Sequence, residues 1–544
     1  MAFARKPLAA LLQEEQQGQL VRELRLVDLV AIGIGSTVGT GVFTVVGSVA
    51  ASDCGPSLVI AILIGSFGCF LTGNAYVKLS RAIPCTGSVY AYAYHCLGEV
   101  FAVICASCLS LEYGACGSAV AVSWGLKFAG AVQLDVLGRM DLGPVVVNWA
   151  AAMVCVPCVL LLLQGLALGK TFSNLMTLLK CAIVIFIIVT SLFFFKASNF
   201  SPLVPPRTVV HGKGRYGLEG LFRAAVDCFF AFVGFDEVCC LAGEARDPKK
   251  DMPRAVILSV AGTAFFTFMA GLGIVGMQHY TDIDPDDGFV VGLQQHGWPA
   301  AAWVVSIGEL VTLPLLVFVS MLPQARLFYA VAMDGLLPSV FTRLNEGGVL
   351  LQSNLIIGVV CTLLAMVVDF DKFNDMISAG VLLSFIMCNC SLIMLGLEPA
   401  TQLGEEAGLL LRTRNGTALA LYCSCVFACM VLTAGLLLPS TVLGMLASAL
   451  PGTKIVAGAF ALLLALAAAV GVFRLAQAPR NLGLWTPLGA IAFNSWMLST
   501  LSLKGFFTIA LYFGAVLGVY SVVTRSAHRG KWLQQALLRN PSAH

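Results

Sequence analysis

Charged residues are scarce in this chain: only 11% of its 544 residues are Asp, Glu, Lys or Arg. A soluble domain carries about 25% charged residues. Here 58% of the residues are hydrophobic, and the mean hydropathy is +0.90. These values exclude a soluble enzyme and indicate a protein that is embedded in a lipid bilayer.

The chain also lacks a block of one charge sign and has few histidines. Its net charge of +3 is spread over predicted loops and tails, which argues against nucleic-acid binding. None of the six histidines lies inside a predicted membrane span, so a haem or zinc site within the membrane has no support. We therefore expect neither a cofactor nor a metal.

Long apolar runs recur along the whole chain. About fourteen runs approach the ~20 residues that cross about 30 Å of hydrocarbon. The predicted spans are 28–50, 57–80, 101–125, 145–165, 172–196, 219–242, 255–278, 298–325, 352–369, 373–397, 417–438, 454–474, 484–502 and 504–523. An even number places both termini on one side of the membrane. More of the 32 Lys and Arg residues fall on that side, which predicts cytoplasmic termini.

Two of these spans contain glycines that would interrupt a helix. The stretch AIGIGSTVGTGVFTVVG, residues 31–47, has five glycines inside the first span, and Gly234 lies near the middle of the sixth. Glycine costs about 1 kcal/mol relative to alanine in a helix interior. Spans one to five and six to ten have similar lengths and a break in the first helix of each, which predicts an inverted-repeat secondary transporter. Close helix packing through small residues is the alternative.

Unwound backbone at the membrane midplane offers N–H groups to an anion and carbonyl groups to a cation. An α-amino acid carries one group of each kind a few ångströms apart. The two breaks therefore favour an amino acid as the transported molecule.

Four stretches resemble the amino acid, polyamine and organocation transporter superfamily, and in particular its cationic amino acid transporter family. They are LRLVDLVAIGIGSTVGTGVF, LSLEYGACGSAVAVSWG, FFAFVGFDEVCCLAGEARDPKKDMPRAV and QARLFYAVAMDGLLP, which are similar to the family's first, third, sixth and eighth helices. The resemblance implies an all-α integral membrane protein with a ten-helix core of two inverted five-helix repeats and four extra C-terminal helices. The corresponding segments are an N-terminal tail (1–27), the transport core (28–397), the extra helices (398–523) and a C-terminal tail (524–544).

The resemblance also implies a substrate site at the two breaks. The implied residues are Gly39, Thr40 and Gly41 for the substrate carboxylate, and Phe232, Gly234 and Phe235 for the amino group. Phe235 is similar to the family's aromatic gate. One departure from the family pattern is Gly243, which stands where the first of two glutamates is usual.

Charged residues inside the predicted spans need an explanation, because each costs about 2.5 to 3.5 kcal/mol at the bilayer centre. Glu112 matches a family glutamate that is implicated in transport, and a structural hydrogen bond is the alternative. Lys180 matches a lysine that takes the place of a bound cation in sodium-independent relatives. The alternative is that the Lys180 side chain extends its ammonium group to the membrane interface. Glu237 adjoins the second break, where it either meets a cationic substrate side chain or faces the cytoplasmic vestibule.

We therefore predict a transporter that moves L-amino acids by alternating access, with arginine and lysine as the expected substrates and with a proton or the membrane potential for coupling. A transporter of neutral amino acids and a transport-inactive receptor are the alternatives. A ligand-gated channel would need a continuous polar stripe, which the apolar spans do not offer. The plasma membrane and the vacuolar or lysosomal membrane fit the sequence equally well.

Overall fold

The structure is almost entirely helical. The computed structural model describes residues 5–17, 20–39, 41–142, 145–210, 213–285, 287–345, 348–368, 370–396, 417–429, 464, 484–500 and 503–525. The α-helices are α1 Leu8–Gln17, α2 Leu26–Thr37, α3 Val46–Val49, α4 Leu58–Ala82, α5 Val89–Cys96, α6 Glu99–Ser110, α7 Cys116–Ala131, α8 Asp135–Gly138, α9 Trp149–Leu163, α10 Leu166–Phe193, α11 Gly217–Phe230, α12 Glu237–Cys240, α13 Pro248–Met277, α14 Gly288–Gln295, α15 Pro299–Met333, α16 Leu351–Val367, α17 Phe370–Gly396, α18 Thr417–Cys429, α19 Trp485–Ser499 and α20 Leu503–Arg525.

In the part of the chain that the structure describes, six helical stretches are long and apolar enough to cross a membrane. They are Gly41–Ala82, Glu99–Ala131, Leu168–Phe193, Pro248–Met277, Pro299–Met333 and Met376–Gly396. Five shorter apolar helices accompany them: Leu26–Thr37, Trp149–Leu163, Leu351–Val367, Thr417–Cys429 and Phe507–Val522. The prediction of an all-α membrane protein is confirmed.

The predicted spans agree with the helices except at a few places. The first and sixth spans are interrupted, as predicted. The predicted fourth span, 145–165, begins too early, because residues 145–147 form a strand and the helix begins at Trp149. Within the described ranges, α18, α19 and α20 correspond to the predicted extra C-terminal helices. The predicted span 454–474 lies almost wholly outside the described residues. The predicted boundaries between tails, transport core and extra helices stay predictions.

Among the described residues, two pairs of short strands lie in the loops between helices. Strand β1 (Met140–Leu142) pairs with β2 (Val145–Val147), and strand β3 (Thr208–Val210) pairs with β4 (Lys213–Arg215), both antiparallel. Hairpins of three residues per strand are marginal by themselves. They serve here as connections between helices.

Small residues let the helices approach closely. A Cβ atom added to Gly65 of α4 would lie 3.0 Å from the backbone nitrogen of Phe229 in α11, so the two helices touch through their main chains. Helices α4, α11 and α13 form the side of the bundle that carries the second break. This close packing is typical of membrane helices.

Asn148 offers a test of how the fourth spanning helix is fixed. Its Oδ1 caps α9 by accepting from the Ala151 N–H at 2.9 Å, and its Nδ2 donates to the Val122 carbonyl at 3.3 Å. We predict that Asn148→Ala lowers stability by about 1 kcal/mol, the usual cost of a lost helix cap. Asn148→Ser keeps the cap and should lose less. Thermal unfolding in detergent measures whether stability falls from the wild type through Asn148→Ser to Asn148→Ala. Identical unfolding midpoints for these three proteins would contradict the prediction.

Candidate functional site

The first break lies between α2 and a π-helical turn that starts at Gly41. Helix α2 ends at Thr37, whose hydroxyl donates to the Gly33 carbonyl at 2.8 Å and lies 2.5 Å from the hydroxyl of Thr263. The predicted site residue Thr40 lies outside the described residues. Because α2 ends at Thr37 and helical structure resumes at Gly41, the first helix is interrupted within the glycine-rich stretch.

The second break separates α11 from the short helix α12. Helix α11 ends at Phe230, and α-helical structure resumes only at Glu237. Between them Gly234 has a φ of +115°, a conformation that glycine adopts without the strain of a side chain. The backbone conformation at position 234 therefore requires glycine.

The two breaks touch each other. The Ser36 hydroxyl lies 3.0 Å from the carbonyls of both Gly33 and Gly234 and so joins the two interrupted helices. A Cβ atom on Gly41 would lie 2.6 Å from the Cβ of Ala231, and one on Gly234 would lie 2.9 Å from the Ser36 hydroxyl. The Ala231 side chain therefore lies in the space that a side chain at position 41 would need, so the two breaks can approach only because residue 41 is glycine.

The predicted aromatic residues at the second break are buried. Phe232 and Phe235 are both inaccessible to solvent. The Phe235 ring lies 5.5 Å from the rings of Tyr76 and Phe385, and Phe229 lies 5.9 Å from Phe385. We call Tyr76, Phe229, Phe235 and Phe385 the aromatic cluster. It lines the side of the second break that faces α4 and α17.

Lys180 lies against the first break. Its side chain is fully buried, and Nζ donates to the Gly35 carbonyl at 2.8 Å. A Cβ atom on Gly39 would lie 3.3 Å from this Nζ and 2.8 Å from Leu316 of α15. The ammonium group therefore sits beside the first interrupted helix, close to the eighth spanning helix, and does not extend to an interface.

Further polar residues of α10 hold the same helix. Asn174 donates to Asp28 at 2.6 Å, and Thr177 donates to the Ala31 carbonyl at 2.8 Å. With Lys180 they have a spacing of three residues, which places them on one face of α10. Sequence reasoning missed Asn174 and Thr177, although this spacing of polar residues in an apolar span was visible.

Three buried carboxyl groups gather beside the second break. Glu112, Asp236 and Glu237 are each less than 5% exposed. The Tyr113 hydroxyl donates to Asp236 at 2.9 Å, and the Ser384 hydroxyl lies 3.4 Å from Glu112. We call the three carboxyl groups the acidic cluster.

The acidic cluster has unsatisfied hydrogen-bonding capacity. Glu237 Oε2 and the buried Tyr76 hydroxyl have no hydrogen-bond partner in the described part of the chain. The carboxyl groups of Glu112 and Asp236 lie within hydrogen-bonding reach of each other, but they can form that bond only through a shared proton. The electrostatic partners of the Tyr76 hydroxyl include Asp236 and Glu112. Burying an unpaired carboxylate is costly. The cluster therefore needs protons or a bound cation.

Sequence reasoning found Glu112 and Glu237 but gave no role to Asp236, Tyr76 or Tyr113. Asp236 directly precedes Glu237, and this adjacent pair of acids in an apolar span was the available signal.

In the described ranges, no group of three or more His, Cys, Asp and Glu residues has an arrangement that could hold a metal.

A cavity of about 290 Å³ opens between α2, α10 and α15. Its lining includes Ile32, Ser173 and the buried ion pair of Glu244 with Arg326, whose Nη2 lies 2.8 Å from Glu244 Oε1. Ser173 precedes Lys180 by two helical turns on the same helix. The cavity therefore lies on the side of the first break that carries the N-terminal segment.

Two interrupted helices that meet inside an apolar bundle are typical of secondary transporters. The sequence model of the family described as "Amino acid permease" matches residues 24–451. This chain belongs to the amino acid permease family.

Named relatives differ in what they carry. The chain is 33% identical to "Cationic amino acid transporter 2, vacuolar" of Arabidopsis thaliana, over 70% of this chain and 61% of the relative. It is 29% identical to "Methylthioribose transporter" of Bacillus subtilis, over 72% and 85% of the two chains, and 29% identical to "Branched-chain amino acid permease BcaP" of the same organism, over 69% and 81%. The structure of MhsT in complex with L-phenylalanine matches 83% of this chain and all of its own, with 14% identity and a TM-score of 0.48.

The contact between the breaks predicts a strong effect of a methyl group at Gly41. Because the added Cβ would collide with the backbone of Ala231 at 2.9 Å, the two breaks must move apart. We expect Gly41→Ala to lower amino acid uptake at least about tenfold, and Gly41→Leu to abolish it, in protein that still reaches the membrane.

Gly47 provides the matched control in the same helix. A Cβ atom there would find its nearest neighbours at an ordinary 3.6 Å. Gly47→Ala should therefore keep normal uptake. Normal uptake by Gly41→Ala would show that the contact between the breaks is unimportant for transport.

Proposed function

We propose that the protein is a secondary transporter that moves L-amino acids by alternating access and prefers basic ones such as arginine and lysine. The observation that carries the proposal is the acidic cluster of Glu112, Asp236 and Glu237 beside the second break. Within the described ranges, none of the three carboxyl groups forms a salt bridge with a lysine, arginine or histidine.

The two breaks supply the groups that an amino acid backbone needs. The interrupted helices expose main-chain N–H and carbonyl groups to the carboxylate and ammonium of the substrate. In this proposal Gly39, Thr40 and Gly41 meet the carboxylate, and the main chain from Phe232 to Gly234 meets the amino group. A guanidinium or ammonium side chain then pairs with the acidic cluster, and Phe235 closes over the bound substrate.

Transport of a neutral amino acid is the second candidate. The aromatic cluster offers an apolar surface beside the same break, and protons could satisfy the acidic cluster without a cationic substrate. A relative that is named as a branched-chain permease supports this candidate, whereas the plant relative named as a cationic amino acid transporter supports the first. Glu237 distinguishes the two, because a neutral substrate does not need its charge.

We place the protein in the plasma membrane or the vacuolar or lysosomal membrane, with both termini in the cytoplasm. The excess of Lys and Arg on the side of the termini supports this orientation. The N-terminal segment and the cavity beside α2 then lie on the cytoplasmic side.

Substrate preference tests the proposal directly. In proteoliposomes that contain the purified protein, we expect L-arginine or L-lysine to be taken up better than L-leucine. Removing one buried charge should weaken the pairing with a basic side chain by about 1.4 kcal/mol or more, so Glu237→Gln should lower arginine uptake about tenfold and leave leucine uptake nearly unchanged. Asp282→Asn, in an exposed loop, is the control. Better uptake of leucine than arginine, together with no effect of Glu237→Gln, would remove the basis for a basic substrate.

The position of Lys180 predicts transport without sodium. Its ammonium donates to Gly35 where a bound cation would otherwise hold the carbonyls of the first helix. We expect uptake to persist when choline replaces sodium, and a basic substrate to follow the membrane potential with about 2.3 kcal/mol per 100 mV and unit charge.

Lys180→Ala should abolish uptake, since it leaves the Gly35 carbonyl without this donor. Cys181→Ala changes the next residue of the same helix and should transport normally. Collapse of uptake in choline, or normal uptake by Lys180→Ala, would contradict this role of the lysine.

A further inference from the structure

The N-terminal segment is docked on the bundle, although the sequence predicts only a tail there. We call residues 6–25 the strap; its residues 18 and 19 lie outside the described ranges. At its start, Lys6 forms a buried ion pair with Asp334 at the end of α15. Asp334 also accepts from the Tyr90 hydroxyl at 2.6 Å, and the Lys6 carbonyl lies 2.8 Å from His95 Nδ1. The start of the strap therefore contacts both α5 and α15.

The middle of the strap places a carboxylate in a gap. Glu15 of α1 accepts from the backbone N–H and from the hydroxyl of Thr86, both at 3.0 Å. Gly243, which follows α12, leaves the space that Glu15 occupies, because a Cβ atom on Gly243 would lie 2.5 Å from Glu15 Oε1. Glu15 thus fits between the connection that precedes α5 and the segment that follows the second break.

The end of the strap pairs with the same segment through main-chain hydrogen bonds. The Leu24 N–H donates to the Glu244 carbonyl at 2.9 Å, and the Arg246 N–H donates to the Leu24 carbonyl at 3.0 Å. Leu24 is completely buried. The strap then continues directly into α2, the first interrupted helix.

These contacts span the two predicted repeats. Thr86 and Tyr90 belong to the first repeat, whereas Gly243, Glu244 and Asp334 belong to the second. Opening a path between the repeats on this side separates groups that the strap holds together. We infer that the strap is a releasable clamp on alternating access and that Glu15 is the residue that positions it, through Thr86 and the space at Gly243. This inference rests on the proposed transport function.

Cys85 is a native thiol whose chemical labelling can show whether the strap is docked or released. It is buried next to Thr86 and, with Lys6 and Glu15, lines a small void of about 40 Å³ beneath the strap. Release of the strap should expose this thiol. Its rate of reaction with a maleimide, measured by mass spectrometry on the full chain in proteoliposomes, follows the open fraction.

Two variants disturb the clamp from opposite sides. Glu15→Ala removes the carboxylate from the strap, and Gly243→Ala places a methyl group where that carboxylate lies. Without any amino acid present, each should raise the rate of Cys85 labelling about tenfold, as expected for the loss of a hydrogen-bonded carboxylate. Gln13→Ala, at an exposed position of the same helix, should label like the wild type.

The response to substrate separates the clamp from merely structural packing. Adding L-arginine to the wild type should accelerate Cys85 labelling, because the strap is released during transport; in Glu15→Ala this acceleration should be smaller, since the strap is already released. Wild-type labelling rates in both Glu15→Ala and Gly243→Ala would overturn the inference. So would labelling of the wild type that is unchanged by arginine while arginine is being transported. If arginine is not transported but both variants label faster, the proposed substrate fails and the docking role of Glu15 stands.

Discussion

The rest of the structure depends on the contact between two interrupted helices inside an apolar bundle. Hydrocarbon offers no water to main-chain groups, so a break in a membrane helix persists only where protein satisfies or shields it. Here the Ser36 hydroxyl lies 3.0 Å from carbonyls of both helices, and the absence of side chains at Gly41 and Gly234 lets the main chains approach. Each break thus provides the surroundings that make the other possible.

The remaining polar residues of the bundle are organised around this contact. Helix α10 supports the first interrupted helix through Asn174, Thr177 and Lys180, all on one face. The second break is bordered by the acidic and aromatic clusters. A buried amino group therefore lies against the first break, and buried carboxyl groups lie beside the second.

The sequence reveals those features of the site that depend on local pattern. Gly234 and the glycines of residues 31–47 mark the breaks because glycine is unfavourable in a helix, and Lys180 is conspicuous as a charge within an apolar run. Contacts between distant parts of the chain have no such local signal. The bond from Tyr113 to Asp236 joins residues 123 positions apart, and the docking of Glu15 depends on the absence of a side chain at Gly243. A short polar N-terminal segment therefore resembles a free tail in the sequence, although it is docked in the structure.

The covalent continuity between the strap and α2 has a kinetic consequence. A segment that detaches but remains linked to its binding surface rebinds intramolecularly, at an effective concentration in the millimolar range for a short flexible connection. A soluble molecule that competes for the space beside Thr86 would have to reach a comparable concentration or bind far more tightly. Undocked intervals are therefore brief, and a chemical change to the strap itself is a more effective way to prolong them than a competitor in solution.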